Sequence, residues 1–174
     1  KKPGNYEIEM GTPTSELIYN LAGGIRNDNK LKAFIPGGSS VPMLPADKVD
    51  TPYDYESLAA AGTMLGSGAL IVIDDSINIV EATLRLISFY MHESCGKCTP
   101  CREGTRWLYQ IVERIMQNKG QLEYIEKMED ICDNMSFKAF CPLADACVAP
   151  VMSSIKYFRS DYEEFFKNTP VGSV

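Results

Sequence analysis

Cys95, Cys98 and Cys101 stand in one seven-residue run, Cys95-Gly96-Lys97-Cys98-Thr99-Pro100-Cys101. Neighbouring members of a Cys-x₂-Cys-x₂-Cys run lie too close to pair readily as disulfides. Three soft thiolates on one loop instead suit a compact inorganic core, and this triple spacing is one by which a [4Fe-4S] cluster is held. Such a core takes four thiolates, one per iron, so a fourth must come from elsewhere. Cys141 is the natural candidate, followed by Pro142 as the remote cysteine of the bacterial cluster-binding pattern is. Cys147 is the alternative for that place, and Cys132 is read with it as a buried thiol. With every iron held by protein, no position is left open for substrate, so the chemistry expected is electron relay.

Zinc is the rival ligand, since four cysteines also hold Zn²⁺ tetrahedrally. Zinc sites more often pair two Cys-x₂₋₄-Cys knuckles, which a triple plus one remote cysteine matches less well. His92, the single histidine, sits one turn before Cys95 and either bonds near the cluster or ends a helix. Lys97, Arg102 and Lys138 lie close in sequence and would add positive charge beside an anionic core. Pro36-Gly37-Gly38-Ser39-Ser40 lacks the Lys-Ser/Thr of a P-loop, and Gly62 to Gly68 does not match Gly-x-Gly-x-x-Gly, so both are read as turns. No catalytic residue and no nucleotide site is expected in this stretch.

The elements that must position the thiols follow from pattern. Most glycines and prolines fall before residue 76 and all six cysteines after it. The early part reads as short strands and turns, the later part as helices. Tyr6–Met10, Leu31–Ile35 and Gly68–Ile73 suit strands. Ser15–Leu21, capped by Thr14, and Tyr55–Ala61 suit short helices. From Ile79 the period becomes helical, with Val80, Leu84, Ile87, Tyr90 and Met91 on one face. Thr99-Pro100 is a helix start, and Trp107, Leu108, Ile111, Val112 and Ile115 continue that helix toward Gly120. A third helix is expected over about 122–135. A fourth follows Pro142, kinked or split by Pro150, and Ser160-x-x-Glu163 opens a last short helix. Trp107, Tyr157, Phe158, Phe165 and Phe166 are read as core or interface. At 1.5 Å per residue the helix after Pro100 runs out roughly 30 Å and its successor returns roughly 20 Å. That hairpin brings Cys141 back beside Cys101 and leaves Cys132 short of it. The fold class is α+β, a small mixed domain over 1–77 and an all-α bundle over 78–174.

Composition narrows the class further. The chain has 174 residues and a net charge of −6, which disfavours nucleic acid as a partner. The apolar run Ala69–Ile73 is far too short to span a membrane. No signal peptide is seen, so the cysteines are read as ligands or buried thiols rather than disulfides. Lys1-Lys2-Pro3-Gly4 reads as the interior of a longer protein.

At Glu93-Ser94-Cys95-Gly96-Lys97-Cys98-Thr99-Pro100-Cys101-Arg102-Glu103-Gly104 the sequence resembles the flavin- and NADH-binding subunit of respiratory complex I, the family of NADH-quinone oxidoreductase F subunits. The resemblance continues at Phe140-Cys141-Pro142-Leu143-Ala144-Asp145, similar to the family's Phe-Cys-Ala-Leu-Gly-Asp. It extends to Ile35-Pro36-Gly37-Gly38-Ser39-Ser40 and Leu65-Gly66-Ser67-Gly68, which look like the family's β-grasp (ubiquitin-like, SLBB) module. The resemblance implies hydride transfer from NADH to FMN, then single electrons passing to a [4Fe-4S] cluster on Cys95, Cys98, Cys101 and Cys141. FMN and NADH are implied only for the full-length subunit, in an upstream flavin domain. The implied partners are a thioredoxin-like [2Fe-2S] subunit and a multi-cluster subunit. The implied place is cytoplasmic, on the peripheral arm of a membrane complex, or the matrix side in mitochondria, without direct membrane insertion. A diaphorase subunit of an NAD-linked hydrogenase or formate dehydrogenase is the alternative of the same chemistry. A zinc-stapled interaction module is the alternative of another class. Pro142, Ala144 and Cys147 depart from the family's pattern.

Overall fold

The computed structural model describes residues 1–167, and the protein divides into two units, Lys1–Ile77 and a second opening at Asn78. The first is a mixed unit around a three-stranded antiparallel sheet ordered β2-β1-β3. Strand β1 (Leu31–Ile35) lies between β2 (Leu44–Pro45) and β3 (Ile71–Asp74). Ala33, Phe34 and Ile35 are buried in it, and Phe34 pairs with Leu44 on one side and Val72 on the other. Helix α1 (Tyr55–Ala60) starts where the Asp54 carboxylate accepts the Ser57 N–H at 2.6 Å, the usual N-cap bond. The two glycine-rich segments are turns that bond to each other. Gly38 N–H donates to Ala69 O at 2.9 Å and Ser67 N–H to Gly37 O at 3.3 Å. The Tyr53 hydroxyl closes the same junction, donating toward the carbonyls of Pro36 and Gly68.

Two expectations fail in this unit. Tyr6–Met10 is not a strand: Tyr6 and Met10 are exposed and the segment has no ladder partner. Alternation alone cannot supply a neighbour with free edge groups. Thr14 does not cap the helix after it, because its hydroxyl donates instead to Thr51 O at 2.8 Å. The helix, Glu16–Leu21, is wound as a π-helix and has no side-chain cap.

The second unit is helical: α2 (Ile79–Glu93), α3 (Thr99–Met116), α4 (Glu123–Met135) and α5 (Leu143–Lys167). One core joins all four, with Val80 and Ile87 from α2, Leu108, Val112 and Ile115 from α3, Ile125 and Met128 from α4, and Val151 from α5. The apolar spacing explains which faces turn inward. Trp107, next to buried Leu108, faces out and is 51% exposed. Helix α2 starts with Asn78 accepting the Val80 N–H at 2.8 Å. The Ile79 N–H goes to the Asp161 carboxylate at 3.1 Å, which ties the far part of α5 to the start of α2.

Pro150 does not break α5. The non-helical residue is Phe158 (φ −133°, ψ 34°). Two serine hydroxyls after the proline bond back onto the helix. Ser153 bonds to the carbonyls of Ala149 and Pro150, and Ser154 to that of Val151. Beyond the break, Asp161 meets α2 and the Tyr162 hydroxyl lies 2.7 Å from the Ser154 hydroxyl. Ser160 is already helical, so the expected Ser160-x-x-Glu163 capping box does not open a helix there; the Glu163 carboxylate instead pairs with Arg159 at 3.2 Å, one turn back.

Burial of acids inside this core gives an alkaline limit to stability. Burial pushes the Tyr162 hydroxyl up from 10.0 to about 12, and pushes the Cys132 thiol well above its ordinary 9.0. Both groups keep their protons longer folded than unfolded. As pH rises past 9 the unfolded chain loses protons first, so stability is full below that range and is lost as pH climbs through the folded values. Urea midpoints measured from pH 7 to 11 should be level to about pH 9 and then fall. A midpoint that rises with alkalinity would contradict the burial of these two groups.

Candidate metal centre

The three clustered thiols lie on the α2–α3 connection and the first turn of α3. Cys95 is exposed in the loop, Cys98 half-buried as the N-cap residue, and Cys101 buried as the third residue of the helix. The cap falls one residue earlier than Thr99, which is already helical, and no side chain caps this end. Cys98 O accepts the Arg102 N–H at 2.9 Å. The unpaired N–H groups and positive dipole end of this turn favour anions such as thiolates.

The connection is held in shape by short-range bonds. Gly96 adopts φ +76°, a left-handed conformation that side chains other than glycine's disfavour. Its carbonyl accepts from Arg102 Nη1 at 2.7 Å and its N–H donates to the Ser94 hydroxyl at 3.4 Å. Ser94 Oγ lies 3.3 Å from Cys101 Sγ.

Cys141 arrives from the other side of the hairpin. Helix α4 returns against α3 so closely that a Cβ on Gly104 would lie 2.4 Å from Met135 Sδ. The glycine thus sets α4's last residue against α3's first turns. The segment 136–142 then turns back, and the Phe140 N–H donates to Cys98 Sγ at 3.4 Å, across 42 residues. Cys141, the next residue, is exposed, and all six cysteines are free thiols. Phe137 takes φ +56°, with its N–H held at 2.7 Å by the Asp145 carboxylate from the first turn of α5. That bond anchors the loop that carries Cys141 to the helix that follows it.

The remaining candidates fall outside this group. Cys132 and Cys147 are completely buried in the helical core. Burial, with the nearby Cys101 sulfur, pushes the Cys147 thiol up to about 12. His92 is exposed and pairs with the Glu93 carboxylate at 2.9 Å, beside the end of α2. Lys97 lies 5.4 Å from the Phe140 ring centre. Lys138 bonds to the Asp133 carbonyl at 3.0 Å and to the Asn134 side chain at 3.3 Å, at the end of α4. Sequence reasoning missed Ser94, Phe140 and Asp145 as site residues. The first and last carry polar groups one position outside a quoted cysteine or three positions inside a helix, which are capping signals. Phe140 acts through its backbone, which leaves no side-chain signal.

Among the described residues no three His, Cys, Asp or Glu side chains converge as ligands of one ion would. A zinc site gathers its sulfurs within about 2.3 Å of one point. A [4Fe-4S] core instead takes each thiolate on a separate iron, so its sulfurs stand around a larger body. Three thiols on one loop, with the segment of a fourth bonded to that loop, fit the larger body in donor type and number.

The family model for the NADH-ubiquinone oxidoreductase-F iron-sulfur binding region matches residues 81–165. The helical unit is therefore of the class of iron–sulfur binding regions in oxidoreductases. A curated NADH-quinone oxidoreductase F subunit, that of Streptomyces coelicolor, is 48% identical over 162 residues, 93% of this chain and 36% of that protein. The corresponding protein of Mycobacterium tuberculosis is 50% identical over 161 residues, 92% of this chain and 36% of that protein. The chain belongs to the family of NADH-quinone oxidoreductase F subunits, and spans little more than a third of the length of these relatives. A crystal structure of an NAD⁺-reducing [NiFe]-hydrogenase superposes with a TM-score of 0.82 at 26% identity, covering 94% of this chain and 27% of that one. No helix among the described residues is long and apolar enough to cross a membrane.

Proposed function

We propose that this stretch is the electron-relay portion of an NADH:quinone oxidoreductase flavoprotein subunit, with Cys95, Cys98, Cys101 and Cys141 holding one [4Fe-4S] cluster. The observation that carries the reading is the bond from the Phe140 N–H to Cys98 Sγ, which sets the fourth cysteine's segment against the loop bearing the other three. When bound, the cluster supplies a site that accepts and releases single electrons. The protein's own residues hold and shield it. The first turn of α3 presents backbone N–H groups and its positive end to the thiolates. Arg102 fixes the loop at Gly96, and Asp145 fixes the loop before Cys141. The buried sulfur of Cys101 keeps one side of the site away from water.

The rest of the reading reaches beyond this stretch. FMN and NADH would be bound by an upstream flavin domain of the whole subunit, and electrons would leave toward a multi-cluster subunit, with a thioredoxin-like [2Fe-2S] subunit alongside. The first unit, with its small antiparallel sheet and its two bonded glycine turns, would be a β-grasp module. The assembly would sit on the cytoplasmic or matrix arm of a membrane complex. The likeness to a hydrogenase supports a second reading, a diaphorase subunit. The identity of 48–50% to quinone oxidoreductase subunits, against 26% to the hydrogenase, favours the first.

Iron, zinc and acid-labile sulfide measured on anaerobically purified protein test the ligand set. About four irons and four sulfides per protein molecule are expected. One zinc without sulfide, persisting after anaerobic reconstitution with iron and sulfide, would leave a structural module and sink the relay.

A further inference from the structure

We infer that the Ser94 hydroxyl raises the reduction potential of the cluster by donating a hydrogen bond to the Cys101 sulfur, an inference that rests on the ligand set proposed above. Ser94 ends α2 in an extended conformation (φ −63°, ψ 122°), with its own N–H bonded to Tyr90 O. The helix end therefore fixes where the side chain starts. Its hydroxyl oxygen accepts the Gly96 N–H at 3.4 Å and lies 3.3 Å from Cys101 Sγ. A serine hydroxyl has one proton and two acceptor positions. With the Gly96 amide on an acceptor position, the proton is free to face the sulfur. While Cys101 is a thiol either partner can donate. Once Cys101 is a thiolate ligand it can only accept, so the bond has one direction, Ser94 to Cys101.

The direction decides the effect. Reduction adds negative charge to the cluster and its sulfurs. A donor aimed at a ligand sulfur stabilises the reduced form more than the oxidised one, which raises the potential. Cys101 is the most buried of the four proposed ligands, 7% exposed, and charge–dipole interactions strengthen where water is excluded. The Phe140 N–H acts in the same sense on Cys98, but it belongs to the backbone. Ser94 is the side chain that can be altered. Its removal need not release the loop, because Arg102 still holds the Gly96 carbonyl at 2.7 Å. Ser94 thus acts through Cys101 as a positioning residue.

The test is an EPR-monitored redox titration of anaerobically purified protein carrying Ser94→Ala, Ser94→Val or Ser94→Thr, with iron and sulfide counted in each. Val and Thr have nearly the same shape, and the extended backbone at Ser94 admits both. Only Thr retains the hydroxyl. The alanine and valine variants should keep their iron and sulfide and become harder to reduce by about tenfold in equilibrium constant. For one electron that is a fall of about 59 mV. The threonine variant should stay near the unaltered protein. Intact clusters with unchanged potential in the alanine and valine variants would overturn the inference, as would a threonine variant that shifts with them. Loss of the cluster from the alanine variant alone would make Ser94 an assembly residue and also overturn it. A parent protein holding no iron and sulfide would instead overturn the ligand set.

Discussion

Cys141→Ser is expected to abolish or damage the cluster, with iron and sulfide falling well below about four each per protein molecule and the EPR signal of the reduced form lost or altered. A hydroxyl is a far weaker and harder ligand than a thiolate, and one iron would be left without its sulfur. The neighbouring geometry gives no substitute. Cys147 lies inside the core with no exposure, and its thiol is pushed up to about 12 by burial and by Cys101. Cys147→Ser should therefore keep the cluster and lose only stability, by about 1–3 kcal/mol for a hydroxyl placed in an apolar site. Metal analysis of the two variants side by side reads both expectations. The reverse pattern, cluster lost with Cys147→Ser and kept with Cys141→Ser, would move the fourth ligand from the loop before α5 into the helix itself.

The second large effect is on stability. Leu108→Ala is expected to cost about 3–5 kcal/mol, the range for a buried leucine truncated in a core that cannot fully close the cavity. Leu108 is completely buried on α3, in the same core as Val80, Ile87, Val112 and Val151. Trp107→Ala, one residue earlier on the solvent face, is the control. Its side chain is 51% exposed, and a change there should cost less than about 1 kcal/mol. Urea unfolding of both variants gives the comparison. Similar losses at the two positions would mean that the apolar face of α3 is not the one described.

The helices were legible because their signals are local and repeated. Val80, Ile87 and Tyr90 on α2, and Leu108, Val112 and Ile115 on α3, recur at helical spacing and are buried where that spacing puts them. The antiparallel return of α4 was legible from length alone, since a helix, a tight turn and a second helix leave few other paths. Strand β1 was legible because Leu31–Ile35 is both apolar and bounded by turn residues. Tyr6–Met10 carries a comparable alternation, but a strand is a property of two segments, and its partner is not written in its own residues. Pro150 misled for the opposite reason. A proline in a helix interior leaves the carbonyl four residues back without its helical partner, yet α5 runs on through Pro150 and the departure falls at Phe158 instead. The four proposed ligands were legible in type and spacing. The bonds that fix them in place, from Ser94, Arg102, Phe140 and Asp145, were not, because each joins groups whose proximity depends on how the loops close.

The Phe140–Cys98 contact has a mechanical consequence. Three of the proposed ligands lie on the α2–α3 connection and the first turn of α3, and the fourth in the loop before α5, so most of the α3–α4 hairpin lies between Cys101 and Cys141. A bound cluster would then be a cross-link closing a ring of about 40 residues, of a size for which cross-linking removes about 4 kcal/mol of chain entropy from the unfolded state. The redox centre and the rigidity of the bundle would rise and fall together. Oxidative loss of the cluster would not merely interrupt a current but slacken the hairpin that surrounds it, leaving a looser protein that is easier to unfold and to degrade.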